Sequence, residues 1–129
     1  MNKIIVEVSI GELLDKISIL EIKQQKIKDP EKLKFVSNEH FVLKKQLENN
    51  VDKDDKLDKL FQSLKEINAK LWVIEDEKRE CEKDKGFGKK FIKLSRDVHF
   101  LNDDRAKIKL EINDYTGSVI KEIKEYASY

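Results

Sequence analysis

Proline occurs once and glycine four times in 129 residues, too few to supply the tight turns of a sheet protein. Cysteine occurs once, at Cys81, so no disulfide can close within the chain, and a lone thiol fits a reducing compartment. Long apolar runs are missing: beyond the start the longest covers residues 71–74, far short of the ~20 residues that span a bilayer. The opening residues include Lys3, but their apolar run stops at Glu7, too soon for a signal peptide. These absences lead to the expectation of a cytoplasmic protein without a membrane partner. An excess of one charge is missing too. With 27 basic and 26 acidic side chains the formal net charge is +1, which argues against a dedicated DNA-binding module, whose affinity rests on surplus Lys and Arg.

What the chain has is charge and periodicity. Charged residues make up 41% and apolar residues 39%; near-cancelling charge with regularly spaced apolar positions favours long helices over disorder. Residues 4–8 alternate loosely, Ile4, Val6 and Val8 against Ile5 and Glu7, and make residues 1–8 a short strand or extended arm. Ser9-Ile10-Gly11-Glu12 reads as a capping box, the serine taking an orphan amide while the glutamate reaches back. A first helix is expected over about 10–28. Ile10, Leu13, Leu14, Ile17, Leu20 and Ile27 share one side, and Ile19 and Ile22 widen it, so this helix should be buried on more than one side.

Asp29-Pro30 stops that helix and starts a second over about 30–48, with aspartate at the N-cap and proline at the first helical position. Its seam is Leu33, Val36, His40, Leu43 and Leu47. A third helix over about 55–84 repeats the spacing with Leu57, Leu64, Leu71, Ile74, Lys78 and Cys81. Gly86-Phe87-Gly88 breaks it, and a fourth over about 89–113 carries Phe91, Leu94, Val98, Leu101, Arg105, Ile108 and Ile112. Gly117 ends the fourth, and Val119, Ile120, Ile123 and Tyr126 suggest an amphipathic turn or two in the tail, 118–126. The expected fold is all-α: a single domain over 1–129, an antiparallel bundle of four main helices crossing at about 20°, preceded by the short arm. At 1.5 Å per residue the first two helices are about 30 Å long and the last two about 40–45 Å. The shorter pair cannot cover the longer hairpin. That mismatch, the apolar arm, and Phe87, Phe91 and Phe100 near the fourth helix point to a homodimer.

Motifs for chemistry are weak. Glu77-x-x-Glu80 and Glu111-x-x-Asp114 match the letters of the magnesium pairs of the all-α nucleotide pyrophosphohydrolases, but a chain so rich in acid makes such pairs by chance, and Glu77 and Glu80 avoid the apolar seam. Lys85-Gly86-Phe87-Gly88 opens like the aromatic strand of an RNA-recognition motif, yet Lys89 and Lys90 stand where Phe and Val are needed. His40 and His99 lie on different helices without metal-site spacing, and Cys81 in its seam reads as a small hydrophobe. No metal and no cofactor is expected.

Arginine usage is more informative. The chain holds three, Arg79, Arg96 and Arg105, all on the last two helices, and Arg105 falls inside an apolar seam. Arginine's planar fork suits sites that need two parallel hydrogen bonds to a carboxylate or phosphate. Glu21, Asn68, Glu75, Arg79, Asn102, Arg105, Lys109 and Asn113 form the candidate ligand-binding set. A buried charge costs several kcal/mol unless paired, so the simplest account is an Arg–Glu network fixing helix register, with Glu75 or Glu21 as partner. The alternative is a pocket for an anionic metabolite (a phosphate, sugar nucleotide or dicarboxylate). No catalytic residue is assigned.

The stretches 11–23 (GELLDKISILEIK), 71–76 (LWVIED) and 102–109 (NDDRAKIK), with Ile112-Asn113 and Gly117-Ser118, resemble an uncharacterised family of small bacterial and phage proteins, some occurring alongside glycan-synthesis proteins. The likeness covers nearly the whole chain and implies one intact domain. A second likeness is to the helical chorismate mutases, which bind a dicarboxylate with arginines and a lysine; Arg79, Arg105 and Lys109 would take those roles. Asp15 and Lys16 stand where that fold carries an early arginine. A non-enzymatic helical binding or assembly module is the expected function.

Overall fold

Local chemistry sets the helix boundaries in the computed structural model, which describes residues 2–129. Four helices make up 74% of the chain: α1 (Ile10–Lys26), α2 (Pro30–Asn50), α3 (Asp55–Lys83) and α4 (Lys89–Thr116). Ser9 caps α1 by accepting the Glu12 amide at 3.0 Å. Asp29 caps α2 through the Glu31 amide at 3.1 Å, with Pro30 in the first turn. Asp54 caps α3 twice, through the amides of Lys56 and Leu57 at 2.8 and 3.2 Å. Each cap satisfies an amide that the helix itself leaves free. At the far end Gly117 takes the left-handed conformation, φ 67°, which glycine adopts without a Cβ penalty.

The four helices form an all-α bundle with α1 at its centre. α1 touches all three other helices, α3 and α4 form an antiparallel hairpin, and the backbone of α2 comes close to α1 alone. Leu14, Leu57, Leu64 and Ile112 make the core, flanked by Ile10, Leu47, Val51, Leu60, Phe61 and Ile108. Gly11 meets Asn113 while Asp15 meets Arg105, and Leu14 packs with Leu57 while Ser18 meets Asn68. α1 therefore runs parallel to α3 and antiparallel to α4. Its neighbours on three sides explain why its apolar residues exceed one stripe. α2 contributes no buried residue, and its outer side leaves Phe35 and Phe41 in solvent.

With 17 residues against 29, α1 is about 25 Å long and α3 about 43 Å. Registered at Ser18–Asn68, the end of α1 reaches about the level of Asp76. Beyond it α3 and α4 continue as a bare hairpin, where Phe87 and Ile92 are exposed.

Of the two forms expected for residues 4–8 the structure has the arm and not the strand: the described residues contain no strand edge to receive them, and Ile4 and Ile5 lie in solvent at 88% and 84% exposure. Met1 of the expected arm lies outside the described residues. The tail forms no helix either. After Gly117 it turns back along α4, where Lys121 pairs with Asp114 at 2.7 Å and Glu122 with Lys109 at 3.2 Å, while Tyr129 bonds Asp103 and stacks on His99. A segment this short gains little from helix propensity alone, and its side chains are held by α4 instead.

Candidate functional site

Gly11, Asp15 and Ser18 recur at helical spacing on α1 and are all buried, a small and polar stripe among the helix's buried leucines and isoleucines. The first position works through its missing side chain. A Cβ on Gly11 would sit 2.6 Å from the Lys109 carbonyl oxygen and 2.9 Å from Asn113 Oδ1, so only glycine lets the start of α1 lie this close to α4. The approach satisfies the helix start. The Gly11 amide donates to Asn113 Oδ1 at 2.7 Å and the Ile10 amide to Ser118 Oγ at 3.2 Å. With Ser9 receiving the Glu12 amide through its hydroxyl and the Leu13 amide through its carbonyl, the first four amides of α1 are all answered.

One turn further, Asp15 is 1% exposed and forms the hub. Arg105 grips it with two parallel bonds, Nε to Oδ1 at 3.0 Å and Nη2 to Oδ2 at 2.5 Å. Asn68 Nδ2 donates to Asp15 Oδ1 and to Ser18 Oγ, both at 2.8 Å, and Ser18 in turn donates to the Asp15 carbonyl at 2.7 Å. Burial pushes the Asp15 carboxyl up, but Arg105, Asn68 and Lys109 outweigh it and hold the group below the ordinary value. Arg105 is raised, first by its bond to Asp15.

Lys109 closes the site. Its Nζ donates to Glu12 at 2.7 Å and Glu122 at 3.2 Å and lies 3.6 Å from Asp15. Burial lowers its pKa, but the Glu12 bond, the Asp15 and Glu12 charges and the Glu122 bond raise it to a net upward shift. Glu12 thus spends its side chain on Lys109 instead of completing the capping box. Outside this cluster a cleft of about 220 Å³ is lined by Glu12, Asn102, Arg105, Lys109, Glu122 and Lys124.

The structure brings together five of the eight sequence candidates: Asn68, Asn102, Arg105, Lys109 and Asn113. Asn102 is exposed and accepts a long 3.4 Å bond from Arg105 Nη1. Glu21 belongs to a different cluster, accepting from Lys65 and meeting His40 Nε2, each at 3.1 Å, so that it ties α1 to both α3 and α2. Burial raises the Glu21 carboxyl, while His40 and Lys65 bring it net below its ordinary value. Glu75 and Arg79 join neither network, because they lie where α1 runs out. Arg105 therefore pairs with Asp15, not with Glu75 or Glu21. Arg79 is exposed and apart from Arg105 and Lys109, so the three positions of the chorismate mutase likeness do not assemble. Among the described residues no three His, Cys, Asp or Glu side chains converge on a metal-sized site, and the Glu77–Glu80 and Glu111–Asp114 pairs stay separate.

A buried Asp–Arg clasp with a small-residue helix contact defines a class of helical protein held by a polar seam. The family of unknown function DUF6165 matches residues 4–129, and the chain belongs to it. No curated protein and no solved structure matches it. Among the described residues no helix is long and apolar enough to cross a membrane.

Proposed function

We propose that this chain is a non-enzymatic helical module for binding or assembly, whose polar seam holds its helices in register. One observation carries the reading: among the described residues no buried side-chain nitrogen or oxygen lacks a hydrogen-bond partner. Asp15, Arg105 and Lys109 answer one another, as buried polar groups do in a structural network. A carboxylate held ionised by three partners is also a poor general acid or base near neutral pH. The unanswered groups are apolar instead. Phe35 and Phe41 on α2 and Ile4 and Ile5 on the arm stand in solvent, and these are the surfaces this reading assigns to a partner. A second copy is the proposed first partner, and the lone buried Cys81 fits a reducing cytoplasm.

The alternative is a protein acting on an anionic metabolite, and it draws on the cleft beside Arg105, Lys109 and Lys124. That cleft's cations face Glu12, Asp15 and Glu122, which leaves no unbalanced positive charge for a ligand. A thermal-shift screen over nucleotides, sugar phosphates and dicarboxylates, with and without magnesium, separates the two readings. The assembly module ignores them all; a saturable shift that Lys109→Met abolishes overturns it.

A further inference from the structure

A groove of about 260 Å³ opens between α2, the loop after it and α3. Its floor reaches core residues Leu14 and Ile17 and includes Leu47 and Phe61. Its rim carries the carboxylates of Glu48, Asp52, Asp54 and Asp58, which outnumber Lys44 and Lys53. At the same end of the molecule the arm leaves α1 at Ser9, about one and a half helical turns before Leu14. That arm, residues 3–8, reads Lys3-Ile4-Ile5-Val6-Glu7-Val8: a cation at its outer end, three aliphatic side chains that are 88%, 84% and 70% exposed, and one acid, Glu7, near its exit from α1. The match to the family begins at Ile4, so these aliphatic residues belong to the shared domain.

A single copy thus leaves two complementary features uncovered: an apolar groove with an acidic rim, and an apolar arm with a basic start. Six extended residues span about 20 Å, enough to cross to a neighbour related by a two-fold axis. Such exchange buries both features in both copies at once, because an isologous contact repeats each interaction. We infer that the arm of one copy, residues 3–8, seats in the α2–α3 groove of a second copy, with Lys3 against the acidic rim. This deepens the assembly reading and rests on it.

Light scattering of the full chain at micromolar concentration, with the Ile5→Asp variant alongside, tests it. Ile5 is already in solvent in the single copy, so the substitution leaves the helices intact, which circular dichroism checks. The expected masses are twice 15.2 kDa for the parent and 15.2 kDa for the variant. An Ile5→Cys/Glu48→Cys chain, oxidised with glutathione, locates the arm; a disulfide between two chains is expected. A dimer indifferent to Ile5→Asp overturns the arm-exchange contact and leaves the assembly reading standing. A monomeric parent overturns the second copy as partner. A disulfide within one chain shows that each arm fills its own groove and overturns the exchange.

Discussion

Asp15 and Arg105, 90 residues apart in sequence, meet through two parallel hydrogen bonds that join α1 to α4. The bidentate geometry uses both carboxylate oxygens and aligns two helices along their length as well as holding them together. A pair of apolar residues could supply comparable attraction but would tolerate sliding, whereas a buried carboxylate tolerates only the register that brings its partners. Asn68 adds α3 to the same carboxylate, so one side chain references all three helices of the central unit.

Removing Arg105 leaves Asp15 buried with Asn68 at 2.8 Å and Lys109 at 3.6 Å. Breaking a buried pair costs about 3–5 kcal/mol, and the remaining partners should bring Arg105→Met toward about 2–4 kcal/mol. Adding Asp15→Asn removes the stranded charge and restores part of that loss. Urea unfolding of the four proteins in the cycle measures the coupling. Additive effects of the two substitutions would show that the clasp contributes nothing as a pair.

Gly11→Ala runs against helix propensity. Alanine is better than glycine in a helix interior by about 1 kcal/mol, but here its Cβ meets the Lys109 carbonyl at 2.6 Å, and backbone cannot swing aside. Overpacking of this kind costs about 1–3 kcal/mol, so the variant should be less stable than the parent. Gly86→Ala is the control: the nearest atom to its Cβ is 3.9 Å away, and its stability should stay within about 0.5 kcal/mol. Equal stability of the two variants would mean that the close α1–α4 approach is absent in solution.

Both Asp15 and Glu21 have carboxyls held below their ordinary values in the folded protein. Their contribution is therefore complete above the unfolded carboxylate range, near about pH 4, and is lost as pH falls through the lower folded values. Melting temperature should be flat from pH 7 to 5 in this respect and drop below about pH 4. Lys109 acts at the other extreme. Its folded value is raised, so its contribution is complete below the unfolded lysine value and fades as pH rises through the folded one. The Asp15→Asn variant, less stable at pH 7, should lose less on acidification. Parallel acid limbs for variant and parent would remove Asp15 from the account.

The helices and much of their seams are legible in the sequence because apolar spacing and caps act over a few residues. Arg105 is legible as well, since an arginine between Leu101 and Ile108 breaks an apolar seam and needs an explanation. Its partner is not, for a physical reason. Asp15 looks like any acid in a chain with 26 of them, and long-range pairing leaves no mark beyond residue type. The available signal is the Gly11–Asp15–Ser18 stripe, small and polar residues at helical spacing between the apolar positions Leu14, Ile17 and Ile22. Glu75 and Arg79 share the spacing of Asn68 on α3, but one helix's periodicity does not say where a shorter neighbour stops. The arm and tail escape local reading because no neighbouring edge or core selects a regular structure for them.

The position of α2 leads to a prediction about dynamics. Its backbone comes close to α1 alone and it buries no residue completely, so most of its stability comes from one half-buried stripe and the Glu21–His40 bond at 3.1 Å. Local opening free energy follows buried contact, which makes α2 the helix that detaches without unfolding the rest. Native-state hydrogen exchange should show amides of Phe35 to Leu43 exchanging through an opening well below the global free energy, while those of Ile17 and Leu64 exchange near it. Glu21→Gln weakens the links to His40 and Lys65 and should speed exchange in α2 more than in α4. If α2 exchanges only with global unfolding, its outer face must be covered in solution by something other than α1.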